Sequence, residues 1–83
     1  MGTDNVEIHR ERKGNNELVL SKLAEKRCNF FKEDCYYELQ YKWYSETGVL
    51  GTEISLLTSK DVKSALNGLK QGESIFKYFQ LFP

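Results

Sequence analysis

The residues of this sequence that could do chemistry are a lone histidine, two cysteines and one adjacent pair of carboxylates. A cysteine nucleophile needs a base within hydrogen-bond reach, but His9 lies in a polar segment, whereas Cys28 and Cys35 are predicted to face the core. Two cysteines seven residues apart, with no histidine beside them, fit neither a zinc site nor a disulfide framework. The sequence therefore predicts buried free thiols and no Cys-His catalysis.

The remaining candidates for chemistry are Glu33-Asp34 and a pair of glycines. A tight link between helix and strand accounts for the two carboxylates, because no third acidic residue is near enough in sequence to suggest a metal cluster. Gly48 and Gly51 have the GxxG spacing of the RNA-clamping loop of KH domains, but that loop joins two helices and these glycines lie in a predicted hairpin. We expect a protein that is not an enzyme and that holds no metal ion and no cofactor.

Charge and hydropathy argue against nucleic acids and membranes as partners. Twelve Lys and Arg balance twelve Asp and Glu, so no net field attracts a nucleic acid or an anionic membrane. The longest apolar runs are three or four residues, far short of a membrane span, and the N-terminus lacks the apolar region of a signal peptide. We expect an intracellular, cytoplasmic protein with no membrane association.

Two helices and a C-terminal strand are predicted around a central hairpin. From Asn16 to Phe31 the apolar residues recur at helical spacing, so a helix of about 15 residues is expected there. A second helix is expected after Thr58, which opens a near capping box, and Gly72 is its expected end. Residues 74–83 have aromatic side chains on both parities, which predicts a strand covered in part on both sides.

Residues 35–45 (CYYELQYKWYS) and 49–58 predict the hairpin. Alternation places Cys35, Tyr37, Leu39, Tyr41 and Trp43 on the inner face of the first strand. A turn at residues 46–47, or a loop over 45–48, gives the pairs Tyr44 with Val49, Trp43 with Leu50, Tyr41 with Thr52, Leu39 with Ile54 and Tyr37 with Leu56. A slip by one residue would move a whole apolar row to the other face.

These elements predict an α+β two-layer sandwich of order (β)αββαβ, with two helices on one face of an antiparallel sheet. Residues 1–14 are a polar N-terminal segment, either a tail or a weak strand, and residues 15–83 form a single α+β domain. If the weak strand forms, the order is that of a ferredoxin-like fold. Otherwise the fold is an αββαβ sandwich with a mobile tail.

Two surfaces of this fold are candidates for binding. The sheet face opposite the helices would present Tyr36, Gln40, Lys42 and Tyr44. RNA-recognition domains stack bases on such a face, but their aromatic octapeptide is absent, and Glu38 and Glu53 would repel phosphates. Tyrosines that simply suit a pleated surface are the other interpretation.

The second candidate is the C-terminal strand, with Phe76, Tyr78 and Phe82 on one parity. A segment so rich in β-formers and poor in charge aggregates unless a partner or a second copy covers it, or unless it is an inner strand.

The two surfaces together predict a small non-enzymatic protein-interaction module, such as a regulator, an inhibitor or an assembly subunit. It would act through its open sheet face and aromatic C-terminal strand, with a protein partner or as a homodimer. Single-stranded nucleic-acid binding on the open face is the weaker alternative. A small-molecule pocket between helices and sheet is a further one, lined by Tyr37, Tyr41 and Trp43.

Overall fold

The computed structural model describes residues 5–27 and 34–79 as four strands, one α-helix and one short 3₁₀-helix. The elements in chain order are β1 (Val6–Lys13), β2 (Asn16–Arg27), β3 (Cys35–Ser45), β4 (Gly48–Thr58), α1 (Ser59–Lys70) and the 3₁₀-helix (Ile75–Lys77). The strands form one antiparallel sheet in the order β1-β2-β3-β4. Within the described ranges the two-helix (β)αββαβ order, and with it the ferredoxin-like fold, is therefore wrong.

The predicted first helix is a strand, and the turn before it explains why. Gly14 has φ +60°, and with Asn15 it forms the two-residue connection between the paired residues Lys13 and Asn16. A glycine with positive φ at the first position of a two-residue turn is typical of a β-hairpin. The segment expected to be a tail or a weak strand therefore contributes β1, an edge strand.

The apolar run of β2 is buried on both sides of the sheet. Leu18 and Leu20 belong to the hydrophobic core, and Val19 between them points to the opposite face and is buried there. An apolar run whose side chains are buried on both faces fits a buried helix as well as a central strand, so periodicity could not separate the two.

The register of the β3–β4 hairpin departs from the prediction at a β-bulge. Ser45 pairs with Gly48 and Tyr44 with Val49, as the turn at residues 46–47 requires, but Trp43 then pairs with Gly51 and leaves Leu50 unpaired. From Trp43 to Tyr37 each pair is displaced by one residue, so the predicted pairs from Trp43 with Leu50 to Tyr37 with Leu56 are wrong. The extra residue turns Ile54 and Leu56 away from the helix-covered face.

Helix α1 begins and ends where the sequence predicts. The Thr58 hydroxyl accepts a hydrogen bond from the Asp61 amide, and the Asp61 carboxylate accepts one from the Thr58 amide, which completes the capping box. At the other end Gly72 has φ +80°, and the amides of Gly72 and Glu73 donate to the carbonyls of Leu69 and Gly68. This pair of bonds is a Schellman motif.

The predicted C-terminal strand is wrong as far as the structure describes it, through residue 79. After Gly72 the chain turns back, and the Ser74 hydroxyl caps a 3₁₀-helix that buries Ile75 completely. Phe76 and Phe79 pack against the core. Within residues 74–79 the aromatic side chains at odd and even positions thus belong to a helical turn at the edge of the core and its end. Residues 80–83, the end of the predicted strand, lie outside the described residues.

The core lies between one face of the sheet and the elements that follow β4. Its buried members are Leu18, Leu20, Leu39, Leu57, Val62 and Ile75. The core is centred on β2 and β3, and β4 reaches it through Leu57. The helix-side face of β4 at Glu53 and Ser55 is exposed.

Candidate interaction surface

Among the described elements, no helix or strand covers the sheet face opposite α1, and the residues of this face follow from the strand register. Cross-strand pairing places them in three successive rows from β1 to β4: Glu7, Ser21, Glu38 and Leu56; Arg10, Val19, Gln40 and Ile54; Arg12, Glu17, Lys42 and Thr52. We call these residues, with Tyr44 and Val49 of the next row, the open face. Over β1 to β3 it is polar and charged apart from the buried Val19, and it becomes aliphatic along β4.

Three of the four residues predicted for this face lie on it together. Gln40, Lys42 and Tyr44 alternate along β3 and share the open face. Tyr36 lies at the register shift between Cys35 and Tyr37, with 40% of its surface exposed. The bulge of β4 adds Ile54 and Leu56 to this face, and isolated Gly51 was the sequence signal for that bulge.

Glu17, which the sequence analysis did not select, is the centre of a polar cluster on the open face. Its Oε1 accepts hydrogen bonds from the Tyr44 hydroxyl at 2.8 Å and from Arg10 Nη1 at 3.2 Å. The bond from Tyr44 is the main cause that lowers the pKa of Glu17 below its ordinary 4.5; burial raises that pKa, and the Arg10 charge lowers it further. The Gly14–Asn15 turn was the signal that would have placed β1 and Glu17 here.

The same cluster also contacts the ring of Tyr44, which the sequence predicted as part of the binding surface. The guanidinium carbon of Arg12 lies 4.4 Å from the centre of the Tyr44 ring, within the range of a cation–π contact. Arg10 Nη2 also donates to Glu7 Oε1 at 2.8 Å, so both arginines are engaged inside the protein. Tyr44 thus has one ring face and its hydroxyl committed, which weighs against base stacking at this position.

The aliphatic part of the open face lies on β4 and is exposed to solvent. Ile54 is 58% exposed and Val49 57%, and Leu50 in the bulge is 66% exposed. Their strand, GVLGTEISLLT, contains one charged residue, Glu53. In the described part of the chain no strand pairs with the outer edge of β4, so its backbone groups and its aliphatic side chains are available together.

The opposite edge of the sheet has a different chemistry. Strand β1 reads VEIHRERK, and its residues charged at neutral pH are Glu7, Arg10, Glu11, Arg12 and Lys13. A register shift between Glu7 and His9 leaves Ile8 unpaired, which is a bulge. Charges and bulges are the features by which natural edge strands avoid pairing with other chains. β1 is therefore protected, whereas β4 has the bulge at Leu50 near its start and the single charge of Glu53.

The predicted C-terminal surface residues have structural contacts instead. Phe76 packs against the core. Tyr78 lies over Gly68, at which an added Cβ would overlap the tyrosine ring, and the Tyr78 hydroxyl donates to the Glu73 carboxylate. Phe82 lies outside the described residues. The C-terminal strand is therefore wrong through residue 79, and the binding role of these three residues stays a prediction.

The groups considered for chemistry are also placed. Cys35 is fully buried and free, as expected, and Cys28 lies outside the described residues. His9 Nε2 lies 3.0 Å from Glu11 Oε1, and the same carboxylate accepts hydrogen bonds from the Ser74 hydroxyl and, at 3.0 Å, from the Ile75 amide. Glu11 thus ties the 3₁₀-helix to β1. Over residues 5–27 and 34–79, no three His, Cys, Asp or Glu side chains are grouped so that they could hold a metal ion.

The aromatic residues of the alternative small-molecule pocket are packed within the fold. Tyr37 and Tyr41 lie against the core cluster, and the Tyr41 hydroxyl donates to Asn16 Oδ1 at 2.9 Å. The ring centres of Tyr41 and Trp43 are 5.1 Å apart, a spacing typical of an aromatic pair. The small-molecule pocket stays a prediction.

Comparison with known proteins adds no family to this picture: no family model, no curated protein and no solved structure matches the sequence. Among the described residues, no helix has the length and apolar character needed to cross a membrane.

Proposed function

We propose that this protein is a small non-enzymatic protein-interaction module that binds an extended polypeptide segment along β4. The observation that supports this is the combination, on one edge strand, of backbone groups that no described strand pairs with and of exposed Val49, Leu50 and Ile54. An incoming strand gains main-chain hydrogen bonds from such an edge, and alternate side chains provide the specificity. A regulator, an inhibitor and an assembly subunit could each work in this way.

The partner strand is expected to have few charges and alternating aliphatic residues. Its side chains on the open face would lie beside Ile54 and Leu56, where they would cover apolar surface. Its side chains on the other face would lie beside Glu53 and Ser55, which favours small or polar residues there. The charged part of the open face, around Glu17 and Arg10, would remain uncovered at the side of the interface.

A displayed library of random peptides, selected on the immobilised protein, tests this proposal. We expect enriched peptides of low charge with alternating aliphatic residues, and we expect their addition to shift the backbone amide signals of β4 most. Ile54→Lys should abolish this binding, because it places a charge at the centre of the exposed edge. Ile8→Lys is the matched control, since Ile8 is an exposed isoleucine on the other edge strand.

Two outcomes would contradict the proposal. One is a selection that enriches nothing on monomeric wild type beyond what the Ile54→Lys variant retains. The other is peptide binding whose amide shifts map to β1 or α1 and leave β4 unchanged.

A further inference from the structure

We propose that the partner strand of β4 is β4 of a second copy of this chain, so that two four-stranded sheets join into one across a two-fold axis. This inference rests on the proposed function, because it names the partner of the same edge. This interface consists of β4 residues from both copies. It does not include the aromatic C-terminal segment, which the sequence predicted as a surface for self-association.

The two edges of the sheet favour pairing of β4 with β4 rather than with β1. Pairing of β4 with β1 of another copy would repeat head to tail and produce an open filament. It would also bring the charged edge of β1, in which Arg10 is already held by Glu7 and Glu17, against an aliphatic strand. A β4–β4 pair closes after two copies and leaves only the charged β1 edges at the ends of the joined sheet.

The single charge of β4 selects the register. A two-fold axis normal to the sheet places residues of the same face opposite one another, so it can pass beside Thr52, Glu53 or Ile54 near the middle of the strand. An axis at Glu53 would place two carboxylates directly opposite, which is destabilising. An axis at Thr52 would place Ile54 opposite Leu50, where the bulge interrupts the ladder.

An axis at Ile54 meets neither difficulty. It pairs Ile54 with its own copy, Thr52 with Leu56 of the second copy, and Glu53 with Ser55 of the second copy. The carboxylate then faces a hydroxyl, and the aliphatic side chains of both copies adjoin on the open face. Ile54, which is 58% exposed in the single chain, becomes the centre of the interface.

Sedimentation equilibrium of the wild type over a wide range of concentrations tests the association. The average mass should rise from 9.7 kDa toward twice that value. In the Ile54→Lys variant two ammonium groups would face each other, and the dissociation constant should increase by about a hundredfold. Ile8→Lys, the same substitution on the β1 edge, should leave the dissociation constant unchanged. Leu50→Lys provides a second exposed β4 position if circular dichroism shows that Ile54→Lys is not folded.

Cysteine cross-linking tests the register. An Ile54→Cys variant should form a disulfide-linked dimer under mild oxidation, because the axis places each residue opposite its own copy. A Glu53→Cys variant is the matched control and should not, since Glu53 faces Ser55 of the second copy. The wild type controls for the native thiols.

A wild type that stays at 9.7 kDa at every concentration would overturn the inference. So would a dimer that Ile54→Lys and Leu50→Lys leave intact, or cross-linking at Glu53→Cys instead of Ile54→Cys. A monomer that still binds library peptides along β4 would overturn this inference alone and leave the proposed function standing. A monomer that binds no such peptide would contradict both.

Discussion

The indole ring of Trp43 lies over the backbone of Gly51, its direct partner on β4, and fills the space that a Cβ at Gly51 would need. The bulge at Leu50 creates this pair, because without it Trp43 would face Leu50. The predicted pairing therefore fails at Trp43, and the ring of Trp43 leaves no room for a side chain at its partner on β4, Gly51.

Gly51→Ala should therefore lower the free energy of unfolding by about 1–3 kcal/mol, since the added methyl group overlaps the ring. The emission of Trp43 should shift as its ring moves. Urea denaturation followed by circular dichroism measures the loss, and the Trp43→Ala background is its control. There the same substitution should be neutral or stabilising, and an equal loss in both backgrounds would contradict the contact.

Glu17 and Tyr44 should make stability depend on pH in the acid range. The folded pKa of Glu17 lies below 4.5, chiefly because Tyr44 donates a hydrogen bond to it. The unfolded chain therefore binds the proton first, and this contribution is fully present above about pH 4.5 and is lost as the pH falls through the folded pKa. In Tyr44→Phe we expect the pKa of the Glu17 carboxyl, measured by NMR titration, to rise toward 4.5.

The stability difference between wild type and Tyr44→Phe should accordingly be larger at neutral pH than below the folded pKa of Glu17. Tyr36→Phe, which removes a hydroxyl from the same strand, serves as the control and should leave the Glu17 titration unchanged. A Glu17 pKa that is the same in wild type and Tyr44→Phe would refute the assignment.

Gly68 should be a helix position at which alanine is harmful. Glycine to alanine inside a helix ordinarily stabilises by about 1 kcal/mol, but here the Cβ would overlap the Tyr78 ring. We expect Gly68→Ala to destabilise by about 1–3 kcal/mol in thermal or urea unfolding, as overpacking does. Asn67→Ala, at the exposed neighbouring position, should be neutral or slightly stabilising.

The background Tyr78→Ala separates the two effects at Gly68. With the ring removed, Gly68→Ala should gain the ordinary stabilisation of about 1 kcal/mol. If Gly68→Ala is stabilising even with Tyr78 in place, the ring does not rest on this glycine.

Glu11 should hold the 3₁₀-helix against β1. Its carboxylate accepts hydrogen bonds from the Ser74 hydroxyl and the Ile75 amide, and a glutamine can replace only part of this acceptor capacity. Glu11→Gln should lower the free energy of unfolding by about 1–3 kcal/mol and should accelerate hydrogen exchange of the Ile75 amide. Glu46→Gln, at an exposed turn position, is the control; unchanged exchange at Ile75 in Glu11→Gln would argue against the tie.

Some parts of this structure could be predicted from the sequence because their signals act within a few residues. The capping box at Thr58, the stop at Gly72 and the pairing of Tyr44 with Val49 beside a two-residue turn were predicted and are found. Each depends on local hydrogen bonds or on a positive φ, which nearby residues determine on their own.

Tertiary structure decided the rest. The run Leu18-Val19-Leu20 satisfies a helix or a central strand equally, and its pairing with β1 and β3 on its two sides makes it β2. Residues 75–77 form a 3₁₀-helix because Ile75 fits the core and Glu11 holds its first turn. The composition of the open face was decided by one unpaired residue, Leu50, because alternation has a period of two and a single extra residue exchanges the two faces of β4.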